Sequence, residues 1–131
     1  MAKKRLLSAF GTGLALVMAV SGASAAGLSD GVLKVGVMTD MSGAYSDLSG
    51  PGSALAAQMA IEDYGGIVLG KKIEFTSADH QNKADIAANK AREWFDADKV
   101  DVIADLSTSS TALAVMEIAN QKNKVTLIST G

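Results

Sequence analysis

The amino-acid sequence predicts an α/β fold: a parallel sheet with helices on both faces. Three observations carry this expectation. Short β-rich runs recur at residues 33–39, 73–77, 100–106 and 125–129. Between them lie segments whose apolar residues repeat at a helical period. Those segments, of about 10 to 14 residues, have the length of crossover helices, which join parallel strands and cover both sheet faces.

Each element has its own warrant. Residues 33–39 (LKVGVMT) are β-rich and bounded by Gly31 and the turn-forming D-M-S-G of residues 40–43. A polar, Gly-rich loop follows, containing Tyr45. Pro51 suits the first helical position, where its missing N–H costs nothing. Leu55, Ala56, Met59 and Ala60 then mark an apolar helical face, and Gly65-Gly66 stops the helix. Residues 73–77 (IEFTS) alternate like a strand and lead into the polar turn 79–82. Asn82 is expected to cap the next helix, with Asp85 favouring its positive end. There Ala87, Ala91, Trp94 and Phe95 share a face, while Lys90, Arg92 and Glu93 point elsewhere. Trp94, Phe95 and the methionines read as packing residues. A third strand, 100–106, runs into the hydroxyl-rich turn Ser107-Thr108-Ser109-Ser110. Ala112, Leu113, Met116 and Ala119 mark a third helical face, before a fourth strand at 125–129.

Composition excludes whole classes of function. The chain has 131 residues, one His and no Cys, which removes thiolate metal sites, disulfide scaffolds, a cysteine nucleophile and a His-rich metal site. Length allows one ordinary domain. The first 25 residues have the layout of a secretory signal: a basic head with Lys3, Lys4 and Arg5, an apolar run at 6–20, and the small-residue pattern Ala23-Ser24-Ala25. The apolar run is short for a bilayer span of about 20 residues. Cleavage after Ala25 is expected, leaving a chain exported to the periplasm with no membrane insertion of its own. Losing three basic residues and no acid leaves 9 basic against 14 acidic residues, a net charge of −5 on 106 residues. That balance disfavours nucleic acid and anionic membrane surfaces as partners.

The motifs point the same way. After the first strand there is no G-x-G-x-x-G, and nowhere a phosphate loop, G-x-S-x-G, H-E-x-x-H or S-x-x-K, so no cofactor is expected. His80, next to Asp79, reads either as a catalytic base or as a solvent-facing or loop-stabilising residue. Asp40, Asp79 and Asp105 fall at three strand ends, but their spacing matches no compact metal loop, and turn acids are common. In parallel sheets ligands sit beyond the carboxyl ends of the strands. The turn of Ser107, Thr108 and Ser109 lies there and offers hydroxyls and helix-start N–H groups suited to a carboxylate. Ordinary helix capping is the alternative. Tyr45, at the same edge, either stacks on a ligand or packs back on the domain.

Three segments, LKVGVMTDMSGAYSDLSGPGSALAAQMAIEDYGG, LGKKIEFTSADHQNKADIAANKAREWFD and VDVIADLSTSSTALAVMEIANQKNKVTLISTG, resemble the N-terminal part of solute-binding proteins of bacterial ABC importers. The similarity is to the Leu/Ile/Val-binding type and covers essentially all of residues 26–131. It implies the N-terminal part of a type I periplasmic binding protein fold, a partial first lobe of a two-lobe clamp. It also implies a small carboxylate ligand, an amino acid or aromatic acid, and a membrane permease as partners, with no catalysis. On the family pattern Thr108, flanked by Ser107 and Ser109, contacts the ligand carboxylate. Tyr45 borders the cleft, and the next contacting turn begins around residues 130–131. The chain departs from the amino-acid binders in lacking Cys and in carrying Thr108 where Ser is usual. The DMSGAYSDLSGPG and SADHQNK forms look more like relatives with other ligands, aromatic carboxylates among them. A truncated coding region is therefore the expectation. A sensory ligand-binding module and a secreted α/β enzyme are the rival readings.

Overall fold

The computed structural model describes residues 27–129. The signal segment, its cleavage site and the turn at 130–131 lie outside the described residues. The order is β1 (Leu33–Thr39), α1 (Gly50–Asp63), β2 (Ile67–Val68), β3 (Lys71–Asp79), α2 (Ala84–Asp96), β4 (Val102–Asp105), α3 (Ser109–Gln121) and β5 (Val125–Ile128).

The strands form one sheet in the order β2-β3-β1-β4-β5. β1 pairs in parallel with β3 on one side and β4 on the other, and β4 pairs in parallel with β5. The expected α/β architecture is thus present, with one correction. β2 pairs antiparallel with the start of β3, so the sheet is mixed. This short hairpin turns through Leu69 and Gly70, both at positive φ (49° and 75°).

Side-chain alternation along β1 assigns the two faces. Gly36 and Met38 face α2 and α3: a Cβ on Gly36 would lie 2.4 Å from the Trp94 ring, and Met38 belongs to the core with Trp94, Phe95, Ile103, Val115 and Ile118. Val37 faces the other way, toward Ser53, Ala56 and Ala57 of α1. A strand buried on both faces explains why 36–39 are buried without a break.

α2 buries Ala87, Ala91, Trp94 and Phe95, as the charge pattern predicts. The other helices depart from the expected faces. α1 leaves Leu55 and Met59 more than half exposed and turns Ala54, Ala57 and Ile61 partly inward. α3 exposes Leu113 and Met116 and buries Thr111, Ala112, Val115, Ile118 and Ala119. Asn82 does not cap α2. It sits in a left-handed turn at φ 53°, and Lys83 occupies the N-cap position with no side-chain cap. Asp85 is in the first turn as expected.

Candidate functional site

The carboxyl ends of the four parallel strands share one edge, with Thr39 opposite Asp79, Met38 opposite Asp105, and Asp105 opposite Ile128. Four turns leave that edge, and hydrogen bonds stitch each to its neighbour. The first turn, after β1, wraps around Asp40, which is fully buried. Its carboxylate accepts the backbone N–H groups of Gly43 (2.7 Å) and Tyr45 (2.9 Å). Gly43 must be glycine for this, since a Cβ would fall 2.5 Å from Asp40 Oδ1. Thr39 Oγ1 donates to Ser49 Oγ (3.1 Å) and accepts the Gly50 N–H (3.0 Å). A strand-end threonine therefore satisfies a start-of-helix donor that the N-cap residue Ser49 leaves uncapped.

Asp79 ties the first turn to the second. Its Oδ1 accepts the N–H groups of Met41 (2.9 Å) and Gln81 (2.8 Å), and its Oδ2 accepts the Ser42 hydroxyl (2.5 Å). Burial alone would raise this carboxyl's pKa, but donation from Ser42, Met41 and Gln81 outweighs it and holds the pKa below its usual 3.8. His80, 1% exposed, is buried rather than solvent-facing, which corrects that half of the sequence expectation. Its Nδ1 accepts the Asn82 N–H at 3.0 Å, and its Nε2 lies 3.3 Å from Ser107 Oγ. It stabilises the turns, and it bridges the second to the third. Burial pushes its pKa below 6.5, against the pull of Asp40, Asp79 and Asp105.

The third turn begins with a sharp bend. Asp105 and Leu106 have φ of 81° and 56°, and the Leu106 N–H donates to the Met38 carbonyl at 2.9 Å. Positive φ is tolerated by Asp but costs a bulky Leu about 1–3 kcal/mol, held here by complete burial of its side chain. The bend delivers Ser107 to His80 and opens α3 at Thr108. Thr108 is the N-cap by backbone conformation, yet no side chain caps the helix. Its hydroxyl pairs with Thr111 Oγ1 (2.9 Å), which donates to the Thr108 carbonyl (2.9 Å). Plain capping by the serines, the alternative weighed from the sequence, is therefore not what this turn does. Ser107 is buried, with 7% of its surface exposed, Thr108 half-buried and Ser109 exposed. The fourth turn joins through the Ser129 hydroxyl, which donates to Asp105 Oδ1 at 2.7 Å.

Tyr45 lies on the first turn, 41% exposed, and its backbone N–H braces Asp40. The structure thus puts all four expected contact residues on one strand-end edge. Asp40, Asp79 and Asp105 instead accept backbone and hydroxyl donors, and no group of three or more His, Cys, Asp or Glu among the described residues is placed to hold a metal. An apolar groove of about 360 Å³ between α1 and β4–β5 is lined by Ala56, Ala104 and Leu127 and by none of the four. Sequence reasoning missed Thr39, Ser49 and Thr111. Only Thr111 carried a signal, a hydroxyl three residues after Thr108.

Fold and site together define an α/β unit with a polar edge at the carboxyl ends of its parallel strands. Residues 32–131 match the family described as periplasmic binding protein. The chain belongs to that family. A periplasmic binding protein from Burkholderia mallei is 50% identical (TM-score 0.71), with 73% of this chain and 26% of that one covered. A branched-chain amino acid ABC transporter periplasmic ligand-binding protein from Burkholderia xenovorans LB400 is 47% identical (TM-score 0.72), with 76% and 26% covered. A solute-binding protein of an ABC transporter from Rhodopseudomonas palustris BisB5, solved with 3,4-dihydroxybenzoic acid, is 29% identical (TM-score 0.69), with 77% and 28% covered. The chain thus spans about a quarter of the length of these structures. Comparison with curated proteins gives no match. Membership supports a periplasmic location, and it decides against the enzyme alternative, since the family consists of non-catalytic transport components.

Proposed function

We propose that this chain is part of the solute-binding component of an ABC importer, exported by residues 1–25 and cleaved after Ala25. It captures a small carboxylate-bearing solute, an amino acid or an aromatic acid, for delivery to a membrane permease. The observation that carries this reading is the start of α3, where Ser107, Thr108 and Ser109 bring three hydroxyls to the opening of a helix that no side chain caps. Such a helix end favours an anion through unpaired donors and the helix field. Tyr45 borders the same edge and supplies an aromatic face. The dihydroxybenzoate complex of the Rhodopseudomonas relative supports an aromatic acid, and the name of the Burkholderia xenovorans relative supports an amino acid. Residues 26–131 supply part of the first lobe, and capture follows from closure of a second lobe over the ligand.

Calorimetry on the full-length mature protein with L-leucine, benzoate and 3,4-dihydroxybenzoate tests this. Saturable binding of at least one, without turnover, is expected, and an intact mass beginning at Ala26. A bound carboxylate would replace Thr111 Oγ1 as the acceptor of the Thr108 hydrogen, so Thr108→Ala should weaken that binding about 10- to 100-fold, the worth of a hydrogen bond to a charged group. Failure of all three acids to bind, or their chemical conversion, would overturn the reading.

A further inference from the structure

His80 is a buried titratable group that a binding turn does not require. Carboxylates face it from every strand end around it: Asp79 beside it on β3, Asp40 after β1 and Asp105 closing β4. Burial opposes their pull and prevails, so the ring is neutral near neutral pH. A neutral imidazole has one donor and one acceptor nitrogen. The Asn82 backbone N–H can only donate, and it points at Nδ1 from 3.0 Å. Nδ1 is therefore the acceptor, and the proton resides on Nε2, which faces Ser107 Oγ at 3.3 Å.

We propose that His80 is a positioning residue for the carboxylate turn: its Nε2–H donates to Ser107 Oγ and so commits the Ser107 hydroxyl hydrogen to a second acceptor, a ligand carboxylate. This rests on the reading of the turn as a carboxylate site. A hydroxyl has one hydrogen, and a hydroxyl that accepts from His80 keeps it for another partner. Among the described residues the bond to His80 is the one Ser107 Oγ makes. Thr108 differs. Thr111 spends its hydrogen on the Thr108 carbonyl, so the Thr108 hydrogen goes to Thr111 Oγ1. Of the two, Ser107 is thus the hydroxyl already polarised to donate. Asp79, which accepts the Gln81 N–H, holds the histidine's own turn in place.

Two measurements on the full-length protein decide the matter. Two-bond ¹H–¹⁵N correlation, with the ring assigned by its loss in His80→Gln, should show a protonated Nε2 and a bare Nδ1 at neutral pH. The reverse tautomer, or an imidazolium, overturns the proposal, whether or not any ligand binds. In titrations with 3,4-dihydroxybenzoate and L-leucine, His80→Leu should lose about tenfold in affinity, while His80→Gln, which keeps a donor amide, stays within about threefold. If Thr108→Ala weakens binding and His80→Leu does not, the positioning role is wrong and the carboxylate reading stands. If neither substitution matters, or none of the three acids binds, the carboxylate reading falls and the role of His80 falls with it.

Discussion

His80 and Asp79, adjacent in the chain, respond oppositely to burial, and both make the fold sensitive to acid. The folded state resists protonating His80 that the unfolded chain protonates near 6.5. Between those two values the unfolded state binds more protons, so stability rises with pH. The contribution is complete above the ordinary histidine range and is lost as pH falls below about 6.5 toward the lowered value. Asp79, also lowered, contributes above its ordinary 3.8 and loses that support as pH falls below it. Thermal melts of the full-length protein should therefore decline first over the mildly acidic range, and His80→Gln should flatten that limb alone. Parallel pH profiles for wild type and variant would refute the assignment. The pairing of Asp79 and His80 on a strand-end turn was legible in the sequence. The burial of His80 and the donors that Asp79 gathers were not, because they depend on loops donated by β1 and β4, distant in the chain.

At the scale of elements, one contact sets how close the α2–α3 layer approaches the sheet. Gly36 leaves room for the Trp94 ring on the core face of β1, where a Cβ would be 2.4 Å from Cζ3. Gly36→Ala should destabilise by about 1–3 kcal/mol through overpacking, and Trp94→Ala by about 3–5 kcal/mol through the cavity it leaves. Because the two sites touch, the pair should couple: Gly36→Ala should cost less in the Trp94→Ala background. Chemical denaturation of the four proteins measures this, and strictly additive costs would disprove the contact. The face of α2 was legible because Lys90, Arg92 and Glu93 exclude themselves from a core. α1 and α3 carried no such signal. Ala54, Leu55, Ala56, Ala57, Met59 and Ala60 leave α1 apolar nearly all round, and α3 is similar from Ala112 to Ala119. Periodicity cannot choose among equivalent faces, and packing geometry chose instead. β2 escaped notice because two residues are too few to show alternation.

Taken as a molecule, residues 27–129 are a sheet with interlocked polar turns at the carboxyl ends of its parallel strands and a thinly covered β5 side. Leu127 and Val125 are more than half exposed, and β5 lies at an edge of the described sheet. A single lobe offers half of an enclosing cleft, and enclosure of most of the ligand surface is what gives small-molecule sites their affinity. Residues 26–131 expressed alone should therefore bind benzoate, dihydroxybenzoate or leucine far more weakly than the full-length protein, and equal affinity in parallel titrations would contradict the clamp. The sequence by itself determined the succession of strands and crossover helices, the edge that carries the turns and the residue types displayed there, because periodicity, glycines and strand-end hydroxyls are local properties. Only the tertiary structure decided which helix faces are buried and that Asp40 and Asp79 serve as acceptors of turn N–H groups. It also decided that His80 reaches Ser107, 27 residues away. These outcomes depend on which strands lie side by side, and β1 is placed between β3 and β4 by pairings that no stretch of local sequence contains.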